Sequence, residues 1–298
     1  MKKEFITILI PCFNSEKTLE NCLKSILNQN YKNYEVVLVD NNSNDSTKNI
    51  IKEFQKKSPK LKYVFEPKRG RGAARNAGVK IAKAKIIAMI DSDCIAPKNW
   101  LLEITKLIRE NKEKVIQGGE LDAIGNYWSK NIQKANEQFI SKNFNSDKRY
   151  VNHLDTKNFA IRSSLLKYLM FDESLGNMED FELGLRLRKK VKIRFLNNIK
   201  VKHYHKSSLR KFFALQFDRA YWTYIIFQKH KYDSEIKKEL MFGGLSLWNN
   251  LSFPPWIIKQ FLSDLGVGFF LFISKLAWTS GTFYAIARKF LNNLLFRG

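Results

Sequence analysis

Four short apolar runs divide the first third of the chain, and each stops on turn residues before a helical period begins. Residues 5–10 end at Pro11-Cys-Phe-Asn-Ser15, and Leu19, Leu23, Ile26 and Leu27 then recur at helical spacing. Residues 34–39 end at Asp40, with a helix following to about Lys57. Residues 61–65 run into Glu66-Pro-Lys-Arg-Gly-Arg-Gly72 and then an alanine-rich helix over 73–84. Residues 86–90 stop on Asp91-Ser-Asp-Cys94, and Leu101, Ile104, Leu107 and Ile108 mark the next helix. The run over 86–90 does not alternate polar with apolar, so both of its faces are expected to be buried. Strands and helices in strict alternation predict an α/β fold, with helices covering both faces of a mostly parallel sheet.

The unusual residues all follow strands. Pro11–Ser15, Asp40, Lys68–Arg71 and the Asp91/Asp93 pair sit where parallel strands end, so four loops converge on one crevice. Asp91 and Asp93, at i and i+2 on a turn, can both face one cation bound by hard oxygen ligands. Taken alone, they serve equally well to cap the helix beginning near Pro97. The segment Gly70-Arg-Gly-Ala-Ala-Arg75 fails the dinucleotide spacing, because Arg75 stands where the third glycine belongs. It offers Arg69, Arg71 and Arg75 to phosphate oxygens, or else it is a glycine-rich turn with solvated arginines.

Ile10-Pro-Cys-Phe-Asn-Ser-Glu16, Val39-Asp-Asn-Asn-Ser-Asn-Asp-Ser-Thr47, Gly72-Ala-Ala-Arg-Asn-Ala-Gly78 and Asp91-Ser-Asp-Cys-Ile-Ala-Pro-Lys-Asn-Trp-Leu101, in this order, resemble a family 2 glycosyltransferase. The resemblance covers about residues 4–225. It implies a Rossmann-like GT-A domain over 1–205, with a nucleotide-sugar half (1–119), an acceptor half (120–205) and a helical region at 206–298. It also implies an inverting, non-processive transfer from a nucleotide-diphosphate sugar, a UDP-sugar being favoured, with Mn²⁺ or Mg²⁺ as cofactor. The D-x-D motif would be Asp91-Ser92-Asp93, with Asp93 on the metal and Asp91 on metal or ribose. Asp40 would accept a hydrogen bond from the base. Pro11, Phe13 and Asn14 would line the base pocket, and Glu16, Asn42, Arg71, Arg75 and Ser92 complete the donor site.

In the middle third, Asn158-Phe-Ala-Ile-Arg-Ser163, Phe171-Asp-Glu-Ser-Leu175 and Glu179-Asp180 resemble the acceptor half, with Glu179 beside Asp180 as general base. Read without the family, these acids open a helix whose dipole favours them anyway. The strand over 191–201 leads to His203-Tyr-His205, two histidines that would share one face of an extended chain. The family often places a metal-binding histidine here, which favours His203 over His205. Gln216-Phe-Asp-Arg-Ala220 keeps the spacing of the processive Q-x-x-R-W motif but has alanine for tryptophan, which implies single addition. A silent relative that binds sugar nucleotides without catalysis is the alternative within the family.

A formal charge of +24 implies an anionic partner, or else much of it is scattered lysine on a solvated surface. A nucleic-acid-binding protein would carry a localised basic stripe with interleaved aromatics. Here the basic residues are diffuse and acids occupy the strand ends, so nucleic acid is not expected. Cys12, Cys22 and Cys94 form no C-x-x-C and no paired framework, which points to free buried thiols in a reducing compartment. From Leu247 the chain turns aromatic and aliphatic, with lysine and arginine interspersed. Asp264, Lys275 and Arg288 bracket two apolar runs too short to span, and glycines at 266, 268 and 281 with the Pro254-Pro255 break weaken a straight span further. The expectation is a tail lying on an anionic membrane at the cytoplasmic face, with a glycan or lipid-linked acceptor, and a chain ending near His230 that stays soluble. The alternatives are a tail that covers the catalytic domain as ordinary core, or a span over 262–287 with Lys275 paired inside.

Overall fold

The strand β2 (Tyr34–Asp40) is buried at every position, its apolar stretch Val36–Val39 flanked by the buried acids Glu35 and Asp40. It pairs in parallel with β1 (Ile6–Cys12) and β3 (Leu61–Phe65), and β1 pairs in parallel with β4 (Ile86–Met89). The connecting helices are α1 (Leu19–Leu27), α2 (Thr47–Lys57) and α3 (Arg71–Ile81). The computed structural model describes residues 4–110, 112–142, 144, 149–205, 208–242 and 255–295.

Beyond β4 come β5 (Cys94–Ile95), α4 (Trp100–Glu110), β6 (Val115–Asp122), α5 (Tyr127–Lys142) and β7 (Tyr150–Val151). They are followed by β8 (Phe159–Arg162), α6 (Ser163–Leu169), α7 (Glu179–Arg188) and β9 (Ile193–His203). The sheet order is β3-β2-β1-β4-β8-β6-β9-β5, with β7 paired to β9. The first four strands are parallel; β8 then runs antiparallel to β4 and β6. Because β2 and β4 flank β1, the strand order reverses there, and a crevice opens at the carboxyl ends.

Alternate residues feed opposite layers. Ile8, Ile10, Val36 and Leu38 pack with Leu23, Ile51, Trp100 and Ile104 on one side. Leu9, Ile87 and Met89 pack with Val79, Leu166, Leu183 and Leu187 on the other. Cys12, Cys22 and Cys94 are free thiols inside this core.

Two compact units result, Met1–Ile124 with Ile140–Tyr204, and Gly125–Phe139 with His205–Gly298. Residues 125–139 therefore group with the C-terminal helices and not with the sheet. Those helices are α8 (Leu209–Lys229), α9 (Ser234–Phe242), α10 (Pro255–Ser263) and α11 (Leu265–Leu295). The Ser208 hydroxyl caps α8 by accepting from the Lys211 N–H at 3.4 Å. Phe270 meets the rings of Phe212 and Trp128 edge-on at 4.8 and 5.3 Å between centroids.

Past Asp264, where α10 and α11 part, α11 runs for 31 residues without interruption. Its glycines serve packing. A Cβ on Gly281 would stand 2.3 Å from the Phe217 carbonyl oxygen, so only glycine lets α11 approach α8 this closely. The stretch Leu265–Asn292 is long and apolar enough to cross a membrane, at a mean hydropathy of 1.2.

Candidate active site

Two loops at the strand ends brace each other. Asn14 and Asn42 adopt left-handed backbone, with φ of 48° and 60°. The Asn14 side-chain oxygen accepts from the Asn44 N–H at 3.0 Å, and the Asn14 N–H donates to the Ser43 hydroxyl at 3.1 Å. Glu16 accepts from the Ser46 N–H at 3.2 Å. The Ser15 and Ser92 hydroxyls lie 2.7 Å apart and tie this pair of loops to the acid turn after β4. Phe13 stays exposed, with the Arg69 guanidinium 5.1 Å from its ring centre.

Asp40 is sequestered. It is 1% exposed, and its oxygens accept from the Ser43 N–H at 3.0 Å and the Tyr63 hydroxyl at 3.1 Å. Burial, with the Asp40 charge beside it, lifts the Tyr63 phenol to about 12, so it remains a donor. As arranged, Asp40 shapes the 41–46 loop instead of projecting towards a base.

Arg75 also departs from expectation. It is 3% exposed, donates to Asp91 at 3.0 Å and to Glu179, and lies 5.6 Å over the Phe171 ring. Its guanidinium is thus an internal bridge, not a free phosphate ligand, because two carboxylates from distant elements face it at once. Glu179 is 2% exposed and held by that bridge, which makes it an anchor for α7. Met178 precedes it at φ 64°, a left-handed conformation rare for a long side chain. Asp180 follows, half-buried at the first turn of α7. Arg71, more exposed, donates to the Asn177 side-chain oxygen Oδ1 at 2.5 Å.

Asp93 faces another way. Its Oδ2 is 3.5 Å from His203 Nε2, while His203 Nδ1 is 3.0 Å from Glu120 Oε2. Lys157 Nζ approaches Glu120 at 3.3 Å and Asp155 at 2.6 Å. Burial pulls the His203 imidazole down, but carboxylates at both ring nitrogens outweigh it and raise the group to about 9. Ligating atoms of Asp93, Cys94 and His203 all lie within 4.8 Å of one another. A carboxylate oxygen with an imidazole nitrogen at this separation suits Mn²⁺ better than Mg²⁺, which takes oxygen donors. Cys94 does not, since its thiol is fully buried and pushed well up by that burial. Asp91 is turned from this cluster by Arg75, so the pair Asp93 and His203 fits a cation better than the trio with Asp91. His205 lies just past the end of β9, buried, with its Nε2 3.0 Å from Gln133 Oε1.

Glu120, Lys157 and Asn158 are additions to the sequence reading. Asn158 donates to the carbonyls of Gly119 and Ile199 at 2.8 and 3.0 Å and accepts from the Trp100 indole at 2.8 Å. Asn158 is legible only as part of a family-like run. Glu120, inside a strand that reads Val-Ile-Gln-Gly-Gly-Glu, gives the sole local signal: an acid on a buried strand.

An open α/β sheet with acids converging at its switch point defines a nucleotide-binding protein of the GT-A type. The model of the family Glycosyl transferase family 2 matches residues 7–170, and the chain belongs to that family. It is 30% identical over 227 residues to the dolichyl N-acetyl-alpha-D-glucosaminyl phosphate 3-beta-D-2,3-diacetamido-2,3-dideoxy-beta-D-glucuronosyltransferase of Methanococcus voltae, covering 70% of this chain and 69% of that one. Coverage is often partial: the chain spans 17% and 43% of the length of GlyA and GlyG, glycosyltransferases of Streptococcus pneumoniae. In fold it resembles the mannosyltransferase PcManGT of Pyrobaculum calidifontis, solved with GDP-Man and Mn²⁺ (TM-score 0.67, 18% identity, 96% of this chain and 86% of that one). It also resembles S. aureus TarS 1-349 in complex with UDP-GlcNAc (TM-score 0.60, 18% identity, 93% and 90%).

Proposed function

We propose that this chain transfers a sugar from a nucleotide-diphosphate sugar, preferentially a UDP-sugar, to a hydroxyl of a glycan or lipid-linked glycan at the cytoplasmic face of a membrane, with inversion. The observation that carries this reading is the Asp91–Arg75–Glu179 bridge. It joins the acid turn after β4 to the helix that presents Asp180, so donor and acceptor residues share one frame. Family membership supports the reaction class, and the UDP-GlcNAc and Mn²⁺ complexes of the two structural neighbours support the donor and cofactor.

Asp93 and His203 would hold Mn²⁺ or Mg²⁺, which when bound offsets the charge of the leaving diphosphate. Pro11, Phe13, Asn14 and Asn42 border the donor base, and Phe13 with Arg69 offers it a stacking face. Asp180 accepts the proton of the attacking hydroxyl while the carbon–oxygen bond to the diphosphate breaks on the opposite side of the sugar. One in-line displacement inverts the anomeric carbon and needs no covalent enzyme intermediate.

The test is a panel of donors and free nucleotide diphosphates screened by thermal shift with and without Mn²⁺. Asp93→Ala is expected to abolish the metal-dependent shift without loss of fold, because the side chain is part-exposed. Asp180→Asn should keep donor binding and lower turnover by about 10²-fold or more. NMR of the product should show inversion; a retained configuration would overturn the single displacement.

A further inference from the structure

We propose that α11 with the end of α10 is a membrane-docking face that lies flat in the headgroup region of an anionic bilayer and does not cross it. Five large apolar side chains stand bare along it: Leu262, Leu265, Leu276, Phe283 and Phe290, at 85%, 75%, 43%, 49% and 64% exposure. From Leu265 on, their spacings are near-whole numbers of turns at ~3.6 residues per turn, so they form one stripe about 37 Å long. The opposite side is closed, with Val267, Phe270, Ala277 and Ala285 all buried. Exposed apolar side chains recurring on one side over this length are more than scattered surface leucines, and mark an interaction site.

The charge selects the occupant. Residues 255–295 contain one acid, Asp264, which pairs with Lys134 at 2.7 Å, against Lys259, Lys275, Arg288 and Lys289. Exposed Lys259 and Tyr284 accompany the stripe. Arg288 and Lys289 lie across the helix from it, bonded to Tyr221 and Gln228 on α8, which places basic charge on the polar side of an interfacial helix.

Packing decides the orientation. Trp278 donates to Gln216 at 3.0 Å and Arg288 to the Tyr221 hydroxyl at 2.9 Å, both on α8. A crossing α11 would drag α8 into hydrocarbon with Asp218 and Arg219, each costly at the bilayer centre. Lying flat, the stripe meets lipid while α8 stays in water.

This rests on the transferase reading only for its purpose, delivery of the site to a lipid-linked acceptor; vesicle binding is measured without catalysis. Full-length protein is sedimented with phosphatidylcholine vesicles with and without phosphatidylglycerol. Binding to the anionic vesicles alone is expected, and Leu276→Ser/Phe283→Ser/Phe290→Ser should weaken it by about tenfold or more while leaving the UDP thermal shift unchanged. Single cysteines at positions 265, 276 and 290 carry a fluorophore, the native thiols being buried. Nitroxide lipids should quench all three at one shallow depth. A depth gradient, unaltered binding by the triple variant, or wild-type protein left in the supernatant overturns the proposal. So does a dimer in solution that the triple variant dissolves without any vesicle binding.

Discussion

Arg75 is the residue on which the two halves of the crevice depend. Removing it by Arg75→Met leaves Glu179 buried without a counter-charge, a change expected to cost about 3–5 kcal/mol in denaturant unfolding. A free phosphate ligand would behave differently, losing donor affinity at unchanged stability. Glu120 acts through His203, since a carboxylate at Nδ1 fixes which nitrogen faces Asp93. Glu120→Ala should therefore weaken Mn²⁺ binding by about 10- to 100-fold, and Glu120→Gln by less, as read by calorimetry. Glu35 supplies a pH signature. Burial pushes its carboxyl up, but hydrogen bonds from Lys62, Thr7 and the Lys83 N–H outweigh this and hold it below the ordinary range. The stabilisation is thus present above the unfolded value of about 4.3 and lost as pH falls through the lower folded one. Glu35→Gln should lower the melting temperature at neutral pH, with the gap to wild type closing in acid.

At the level of elements, the βα repeats were legible because a parallel strand buried on both faces must be a short unbroken apolar run. β6 was not legible. Its run is interrupted by Gly118 and Gly119, where its pairing to β9 shifts register. A Cβ on Gly118 would stand 2.1 Å from the Asn158 side-chain nitrogen, so the glycine answers to a contact far along the chain. The site divides in the same way. Asp91 and Asp93 announce themselves by local spacing, while the Arg75–Glu179 bridge joins positions 104 residues apart, a pairing that only the fold reveals. The tail's glycines are ambiguous in sequence because glycine in a helix has two meanings. As a breaker, Gly281 could be replaced freely; as a packing residue, it cannot. Gly281→Leu is expected to force α8 and α11 apart and lower the melting temperature by several degrees, with Gly281→Ala intermediate. An unchanged melting temperature for both variants would restore the breaker reading.

For the molecule as a whole, the question is whether the C-terminal helices can be dispensed with. Composition suggests that they can, and that a chain ending near His230 would be a soluble catalytic fragment. The packing reverses that expectation. Residues 125–139 belong to the second unit, whose core joins Ile132, Phe212 and Phe270. Ala220 and Ile226 on α8 are fully buried as well. Ending the chain at His230 removes Phe270 and all of α11, baring these side chains on α5 and α8. Loss of one buried phenylalanine ring alone costs about 3–5 kcal/mol, against a total stability of about 5–15 kcal/mol for a typical domain. The shortened protein is therefore expected to aggregate or bind a hydrophobic dye strongly, even without lipid. Size-exclusion chromatography with dye titration checks this, using the stripe variant Leu276→Ser/Phe283→Ser/Phe290→Ser as control. That variant should be monomeric with low dye binding, since its altered side chains face outward. If the shortened chain is instead monomeric, dye-silent and as stable as the full one, α11 is an appendage, and the second unit does not need it to fold.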